Sequence, residues 1–396
     1  MTRALKFFLI AGEPSGDLLG ADLIAGLRKC ASAPLILEGV GGEFMTAQGL
    51  ESRFPMEELS VMGVAEILPR LRPLLRRIRE TADAVVRARP DALITIDSPD
   101  FCLRVAKAAR RHLPDLEVIH YVAPSVWAWR PKRADRMARV VDHVLALLPF
   151  EPPYMEAAGM SCDFVGHPVA ARPVPDPGAI AAIREDLGVR PDQKLLLVLP
   201  GSRNGEVARH APVFSDVVQV LRAADPDLAV IIPAATPVAD QIAQAFPADQ
   251  AGWPRILDPR AVASQEAEAR KWAAFGAADV ALAASGTVSL ELAAARTPQI
   301  VAYRTSALTA AIVRRLLRVD TVTLVNLVTE TRTVPEFLQD DCTPARIVPA
   351  LERLLTDSGA AGEQIAAADR AMTLLGREGD PPGLRAARSV LSRISS

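Results

Sequence analysis

Phe7-Phe8-Leu9-Ile10-Ala11-Gly12-Glu13-Pro14-Ser15-Gly16-Asp17 decides the fold class. Five apolar residues make a short strand, a turn of small residues follows, and the periodic stretch Leu18–Arg28 reads as a helix. The pattern returns at Leu195-Leu196-Leu197-Val198-Leu199-Pro200-Gly201-Ser202-Arg203, before a second helix start and the periodic stretch Val213–Ala223. Working outward, strands are expected at Leu35–Glu38, Ala92–Ile96, Val118–Val122, His143–Leu148 and Cys162–Val165, and later at Leu228–Ile232, Val280–Ala283 and Ile300–Tyr303. Helix-like segments such as Phe101–Arg111 separate them. Strand–helix alternation predicts an α/β fold whose parallel sheets are covered on both faces. The repeated opening predicts two Rossmann-like domains facing each other, with ligand crevices outside the carboxyl ends of the strands.

The chain has 396 residues, two or three domains at roughly 150 residues each. Between His167 and Gly178 stand Pro168, Pro173, Pro175 and Pro177, which stiffen a linker. The expected division is 1–168, 178–342 and a helical tail at 343–396 that packs across both domains. Half of the residues are hydrophobic and the net charge is -2, so the chain can bury large cores and lacks the basic excess of a dedicated nucleic-acid binder. The four cysteines, Cys30, Cys102, Cys162 and Cys342, are scattered. They show no zinc spacing, and a reducing cytoplasm suits them better than a disulfide framework. No uncharged apolar run is long enough to span a bilayer. Arg far outnumbers Lys and there are 32 Pro, pointing to a GC-rich bacterial coding sequence.

In the first half, candidate chemistry sits at strand ends. Gly12–Asp17 offers backbone amides at a helix start, with Glu13, Ser15 and Asp17 beside them; helix capping is the plain alternative. The turn is not G-x-G-x-x-G, and Gly39-Val40-Gly41-Gly42 lacks the third glycine at the required offset, so no nicotinamide cofactor is implied. Asp97 ends the Ala92–Ile96 strand, where α/β enzymes place reactive groups, and Asp100 reads as the N-cap of the next helix. Pro124-Ser125-Val126-Trp127-Ala128-Trp129-Arg130 holds two of the four Trp. Trp127 and Arg130 there read as a binding wall, with burial in the core as the alternative.

In the second half, Gly201, Ser202 and Arg203 form an anion site suited to a diphosphate. Ser285, Gly286 and Thr287 make a second such turn, and Glu291, one helical turn on, can accept ribose hydroxyls. No Asp-x-Asp ends a strand to hold a metal.

These residues resemble the lipid-A-disaccharide synthase family, glycosyltransferases of the two-Rossmann GT-B type. The resemblance covers nearly the whole chain. It is carried by A-G-E-P-S-G-D (11–17), M-E-E-L-S-V-M-G (56–63), I-D-S-P-D-F (96–101), H-Y-V-A-P-S-V-W-A-W-R (120–130), L-P-F-E (148–151), G-H-P (166–168), P-G-S-R (200–203), A-S-G-T (284–287) and V-N-L (325–327). It implies an enzyme that joins UDP-2,3-diacylglucosamine to 2,3-diacylglucosamine 1-phosphate, giving a β-1,6 disaccharide and UDP, without a cofactor or metal. The first domain would take the lipid acceptor, at Glu13, Ser15, Asp17, Asp100, Trp127 and Arg130. Asp97 would be the catalytic base, with Glu13 and Asp17 in reserve. The second domain would take the UDP-sugar, and Asn326 would contact the nucleotide. Val325 departs from the Pro that many members carry there. Alternatives from other classes are a UDP-N-acetylglucosamine 2-epimerase and a non-catalytic nucleotide-sugar-binding regulator.

Residues 61–79 mix Val64, Ile67, Leu68, Leu71 and Leu74 with Arg70 and Arg72 and further arginines. A helix burying Leu74, Ile78 and Val85 is the plain alternative, starting near Pro73. The denser part before it is expected to lie on an anionic membrane surface, the cytoplasmic face of the inner membrane, as a peripheral patch. A homodimer is compatible with the sequence, and nucleic acid is not an expected partner.

Overall fold

A computed structural model describes residues 3–59, 64–129, 132–305 and 319–394, and for residues 64–71 the backbone alone. The chain divides into two compact units, Met1–Ala171 with Leu375–Ser396, and Arg172–Leu374.

The first unit holds a seven-stranded parallel sheet in the order β3-β2-β1-β4-β5-β6-β7. Its strands are β1 (Leu5–Ala11), β2 (Leu35–Val40), β3 (Glu51–Ser52), β4 (Ala92–Ile96), β5 (Glu117–Tyr121), β6 (His143–Ala146) and β7 (Ser161–Phe164). The two-residue period of a strand divides β1 between two cores. Phe8 and Ile10 pack with Leu93, Val105 and Val144 on one face. Phe7, Leu9 and Ala11 pack with Leu23, Ile94 and Val390 on the other. Burying each such side chain is worth about 1.5–3 kcal/mol.

The second unit repeats the plan with six parallel strands in the order β10-β9-β8-β11-β12-β13. These are β8 (Leu195–Leu199), β9 (Ala229–Pro233), β10 (Arg255–Leu257), β11 (Val280–Ala283), β12 (Gln299–Tyr303) and β13 (Glu336–Leu338). In both sheets the order reverses beside the first strand, between β1 and β4 and between β8 and β11, where doubly wound folds open a crevice.

Three strands were not expected: β3, β10 and β13. All are edge strands of two or three residues, none of them fully buried, so no apolar run announces them. The segment after Cys342 is helical, as expected, and its helices divide between the two units. The helices Pro344–Thr356 and Ser358–Leu374 belong to the second unit, while Pro382–Ile394 packs on the Pro14–Cys30 helix of the first. That packing is close because a Cβ on Gly26 would stand 2.4 Å from the carbonyl oxygen of Gly383.

The helix expected near Pro73 begins at Val64 and runs to Ala88 through Pro69 and Pro73. Each proline forfeits a backbone donor, yet Leu74, Ile78, Ala82 and Val85 repeat at helical spacing against the first core and anchor the helix there. Leu74, expected in the membrane patch, is thus half-buried in the fold, while Arg72 is exposed. The side chains of Val64, Ile67, Leu68, Arg70 and Leu71 lie outside the described residues. No helix among the described residues is long and apolar enough to cross a membrane.

Candidate active site

In the first unit the carboxyl ends of β4 and β5 carry the unusual backbone. Asp97 has φ 50°, Ser98 φ 41° and Val122 φ 83°. Left-handed geometry costs a non-glycine residue about 1–3 kcal/mol and gathers at functional sites. The strain is held by the sheet: the Asp97 N–H donates to the Tyr121 carbonyl and the Val122 N–H to the Leu145 carbonyl, both at 3.0 Å. Asp97 is therefore fixed at the end of β4, half-buried. The Cys102 thiol is pushed up by burial and by the charge of Asp97.

Gly12, at the end of β1, lies against this turn. A Cβ there would meet the Ser98 Oγ at 2.5 Å, so only glycine permits the approach. Glu13, half-buried, is the N-cap of the Pro14–Cys30 helix, and Ser15 is exposed in its first turn. Asp17 is corrected. It is 2% exposed, and its carboxylate accepts the N–H groups of Gly42 (2.8 Å), Phe44 (2.9 Å) and Met45 (3.1 Å). A carboxylate so occupied caps the turn after β2 and is no reserve base. Asp100 is corrected too. Ser98 is the N-cap of the Pro99–Arg110 helix, and Asp100 stands exposed in its first turn, where a negative charge favours the helix dipole.

Trp127 is buried rather than part of an open wall. Its ring stands edge-on to Phe150, centroids 5.1 Å apart. Its Nε1–H donates to Glu151 Oε1 at 3.3 Å. Glu151 is a buried acid that the sequence reading missed, and burial pushes it up to about 7. Arg130 lies outside the described residues.

In the second unit the turns after β8 and β11 are neighbours, because the two strands pair and the Ala284 N–H donates to the Leu199 carbonyl at 2.8 Å. Gly201 has φ 131°, and a Cβ there would meet the Glu206 Cβ at 2.6 Å. Glu206, also missed, reaches back over the helix start. It accepts the Ser202 N–H at 3.3 Å and pairs with Arg203 at 3.0 Å. The anion site is therefore not a set of free donors, since an acid one helical turn on holds Arg203 in place. His210, buried, ties this turn to β12. The Arg304 N–H donates to its Nε2 (3.0 Å), and its Nδ1 stands 2.9 Å from the Pro200 carbonyl. A neutral ring protonated on Nδ1 satisfies both contacts.

Ser285 is half-buried, and Gly286 and Thr287 are exposed just before the Val288–Ala294 helix. Glu291 stands one turn along it and pairs with Lys271 at 3.5 Å. Asn326, expected to contact the nucleotide, is fully buried. Its amide NH₂ donates to the Val334 carbonyl (2.9 Å) and its oxygen accepts the Val334 N–H (3.0 Å). It shapes the 321–334 loop. Among the described residues no group of three or more His, Cys, Asp or Glu could hold a metal ion.

A sequence model of the family described as lipid-A-disaccharide synthetase (LpxB) matches residues 7–379. The chain belongs to the lipid-A-disaccharide synthase family. The lipid-A-disaccharide synthase of Ruegeria pomeroyi is 55% identical over 392 residues, 99% of this chain and 96% of that protein. That of Rhodospirillum centenum is 47% identical over 393 residues, covering 99% and 96%. Family membership makes the chain a glycosyltransferase of lipid A biosynthesis. Among solved structures, the UDP-GlcNAc 2-epimerase from Neisseria meningitidis bound to UDP-GlcNAc matches with TM-score 0.61 at 12% identity, covering 99% of both chains. The S. aureus MnaA-UDP co-structure matches with TM-score 0.63 at 14% identity, covering 99% and 96%. At such identities the likeness is one of fold, of the GT-B kind. The lipid-A-disaccharide synthase motifs at 11–17, 96–101, 200–203 and 284–287, by contrast, lie at the ends of β1, β4, β8 and β11.

Proposed function

We propose that this glycosyltransferase is an inverting enzyme that joins UDP-2,3-diacylglucosamine to 2,3-diacylglucosamine 1-phosphate, giving the β-1,6 lipid A disaccharide 1-phosphate and UDP. The observation that carries the reading is Asp97. A half-buried carboxylate at the strained end of β4, beside the reversal of strand order, lies within a family match that runs from residue 7 to residue 379. Asp97 takes the proton of the acceptor 6-hydroxyl as that oxygen attacks the anomeric carbon, a step general-base catalysis accelerates about 10²–10⁴-fold. The bond from the anomeric carbon to the UDP oxygen breaks on the opposite face, which inverts the configuration. The leaving diphosphate gathers negative charge. Arg203 and the backbone amides of Ser285–Thr287 are suited to stabilise it, and Glu291 is suited to the ribose hydroxyls. Relatives of the fold that bind UDP are in keeping with this assignment.

The acyl chains need an approach from a lipid surface. We assign it to the Val64–Ala88 helix, whose Val64, Ile67, Leu68 and Leu71 alternate with Arg70 and Arg72. Apolar side chains in the headgroup region, each CH₂ worth about 0.8 kcal/mol, and arginines near anionic lipid, about 1 kcal/mol each, would hold the protein peripherally on the inner membrane. The reaction is tested by whether Asp97→Asn abolishes acceptor-dependent UDP release while leaving UDP binding unchanged. Wild-type turnover in that variant contradicts the assignment of the base.

A further inference from the structure

The loops after β5 and β6 are tied together by one buried carboxyl group. Tyr121 and Leu145 pair at the ends of these strands, so the two loops leave the sheet side by side. Glu151 is 3% exposed. One of its oxygens accepts the Trp127 Nε1–H from the first loop at 3.3 Å. The other accepts the N–H groups of Leu148 (3.0 Å) and Leu147 (3.2 Å) from the second. Phe150 closes the same contact by standing edge-on to the Trp127 ring. The nearby acids Glu156 and Asp163 lie with Glu151 around the buried Cys162 thiol, which burial and these charges push up to about 12.

A buried carboxyl group is expensive, and a Leu–Phe contact would join two loops as well if stability alone were at stake. What the carboxyl adds is direction. It fixes the angle of the indole through a single hydrogen bond, and thereby the path of Pro124–Trp129 on either side, where Ser125 is exposed and Trp129 half-buried. That loop stands at the carboxyl edge of the sheet, one strand beyond Asp97.

We propose that Glu151 is a positioning residue for acceptor recognition: through Trp127 it holds the Pro124–Trp129 loop in the form that receives the acceptor sugar. The inference rests on the acceptor-side reading of the first unit. The test compares Glu151→Gln, Trp127→Phe and the double variant in the full-length chain, with diacylglucosamine 1-phosphate and UDP-diacylglucosamine varied in turn. Gln can still accept the Leu147 and Leu148 amides, and Phe keeps the edge contact with Phe150, so each single change removes chiefly the indole–carboxyl bond. Each should raise the acceptor KM about ten-fold, the equivalent of one hydrogen bond to a charged group, and change kcat and the UDP-sugar KM by less than about two-fold. The double variant should be no worse than either single one, since partners in one bond do not add. Melting curves establish that each variant is folded. Unmoved KM values in folded variants, additive losses, or a fall in all parameters in step with the folded fraction overturn the proposal. A wild-type chain that releases no UDP in the presence of the acceptor overturns the acceptor-side reading itself, and this inference with it.

Discussion

Gly12 and Ser98 touch at the ends of adjacent strands, where a Cβ on Gly12 would stand 2.5 Å from the Ser98 Oγ and 2.9 Å from its Cβ. Two motifs more than eighty residues apart in sequence thus form one surface, and the strained Asp97–Ser98 turn is pressed from the side by the β1 turn. Gly12→Ala should displace that turn and lower kcat more than UDP affinity. An alanine variant with full activity would show that the turn can move freely.

Asp97→Asn keeps the size of the side chain and removes its basicity. Turnover should fall about 10²–10⁴-fold, with UDP affinity unchanged in a calorimetric titration. Because Asp17 is occupied by three backbone amides, Asp17→Asn should instead lower the melting temperature through the turn after β2. A variant Asp17→Asn that is stable and inactive would reverse the two roles.

Arg203 and Glu206 should be separable. Arg203→Ala removes a charge-assisted contact to the diphosphate, worth about 1.5–3 kcal/mol, and should weaken UDP binding and cut turnover together. Glu206→Gln leaves Arg203 without its partner acid, and should weaken UDP binding less than Arg203→Ala does. Equal UDP affinity in wild type and Arg203→Ala, read by calorimetry, would move the diphosphate site elsewhere.

Four histidines set the sign of the acid response. His120, His143, His167 and His210 are all held below their ordinary range by burial, His120 and His167 at about 4. The unfolded chain therefore takes up protons near pH 6.5 that the folded chain refuses, and stability is lost as pH falls from about 6.5 toward 4. Glu151, pushed up to about 7 by burial, acts oppositely, since the folded form holds its proton between about 4.5 and 7 and gains as pH falls. Melting temperature should drop from pH 7 to pH 5, and Glu151→Gln should steepen the drop. A shallower drop in that variant would contradict the assignment.

How much of this was legible in the sequence depends on the kind of signal. β4 and β8 match their expected bounds because Ala-Leu-Ile-Thr-Ile and Leu-Leu-Leu-Val-Leu are buried on both faces, and a continuous apolar run is visible without neighbours. The strand-end position of Asp97 was legible because it depends only on where β4 ends. Glu151 and Glu206 were not, since their roles depend on Trp127, 24 residues away, and on a side chain folding back over its own helix. The contacts of Asn326 with Val334 were not legible, because an amide beside a loop has the same sequence signature whatever it binds. The helix through Pro69 and Pro73 shows local propensity overridden by the burial of Ile78 and Val85 further along.

The membrane proposal should leave the fold untouched if it is right. Leu75 is exposed, while Leu74 is packed, so the informative variant changes Leu68, Leu71 and Leu75 to Ser and spares Leu74. Co-sedimentation with anionic vesicles should fall, with UDP binding and melting temperature preserved. Vesicle binding like that of wild type would place the surface elsewhere.

The central claim is sugar transfer to a lipid acceptor, and UDP release measures it most directly. Purified full-length protein is given UDP-2,3-diacylglucosamine with and without 2,3-diacylglucosamine 1-phosphate. One UDP per disaccharide with the acceptor, and none beyond background without it, is the predicted result. Conversion of the UDP-sugar in the absence of acceptor, as an epimerase would give, or binding with no turnover in its presence, would contradict the account.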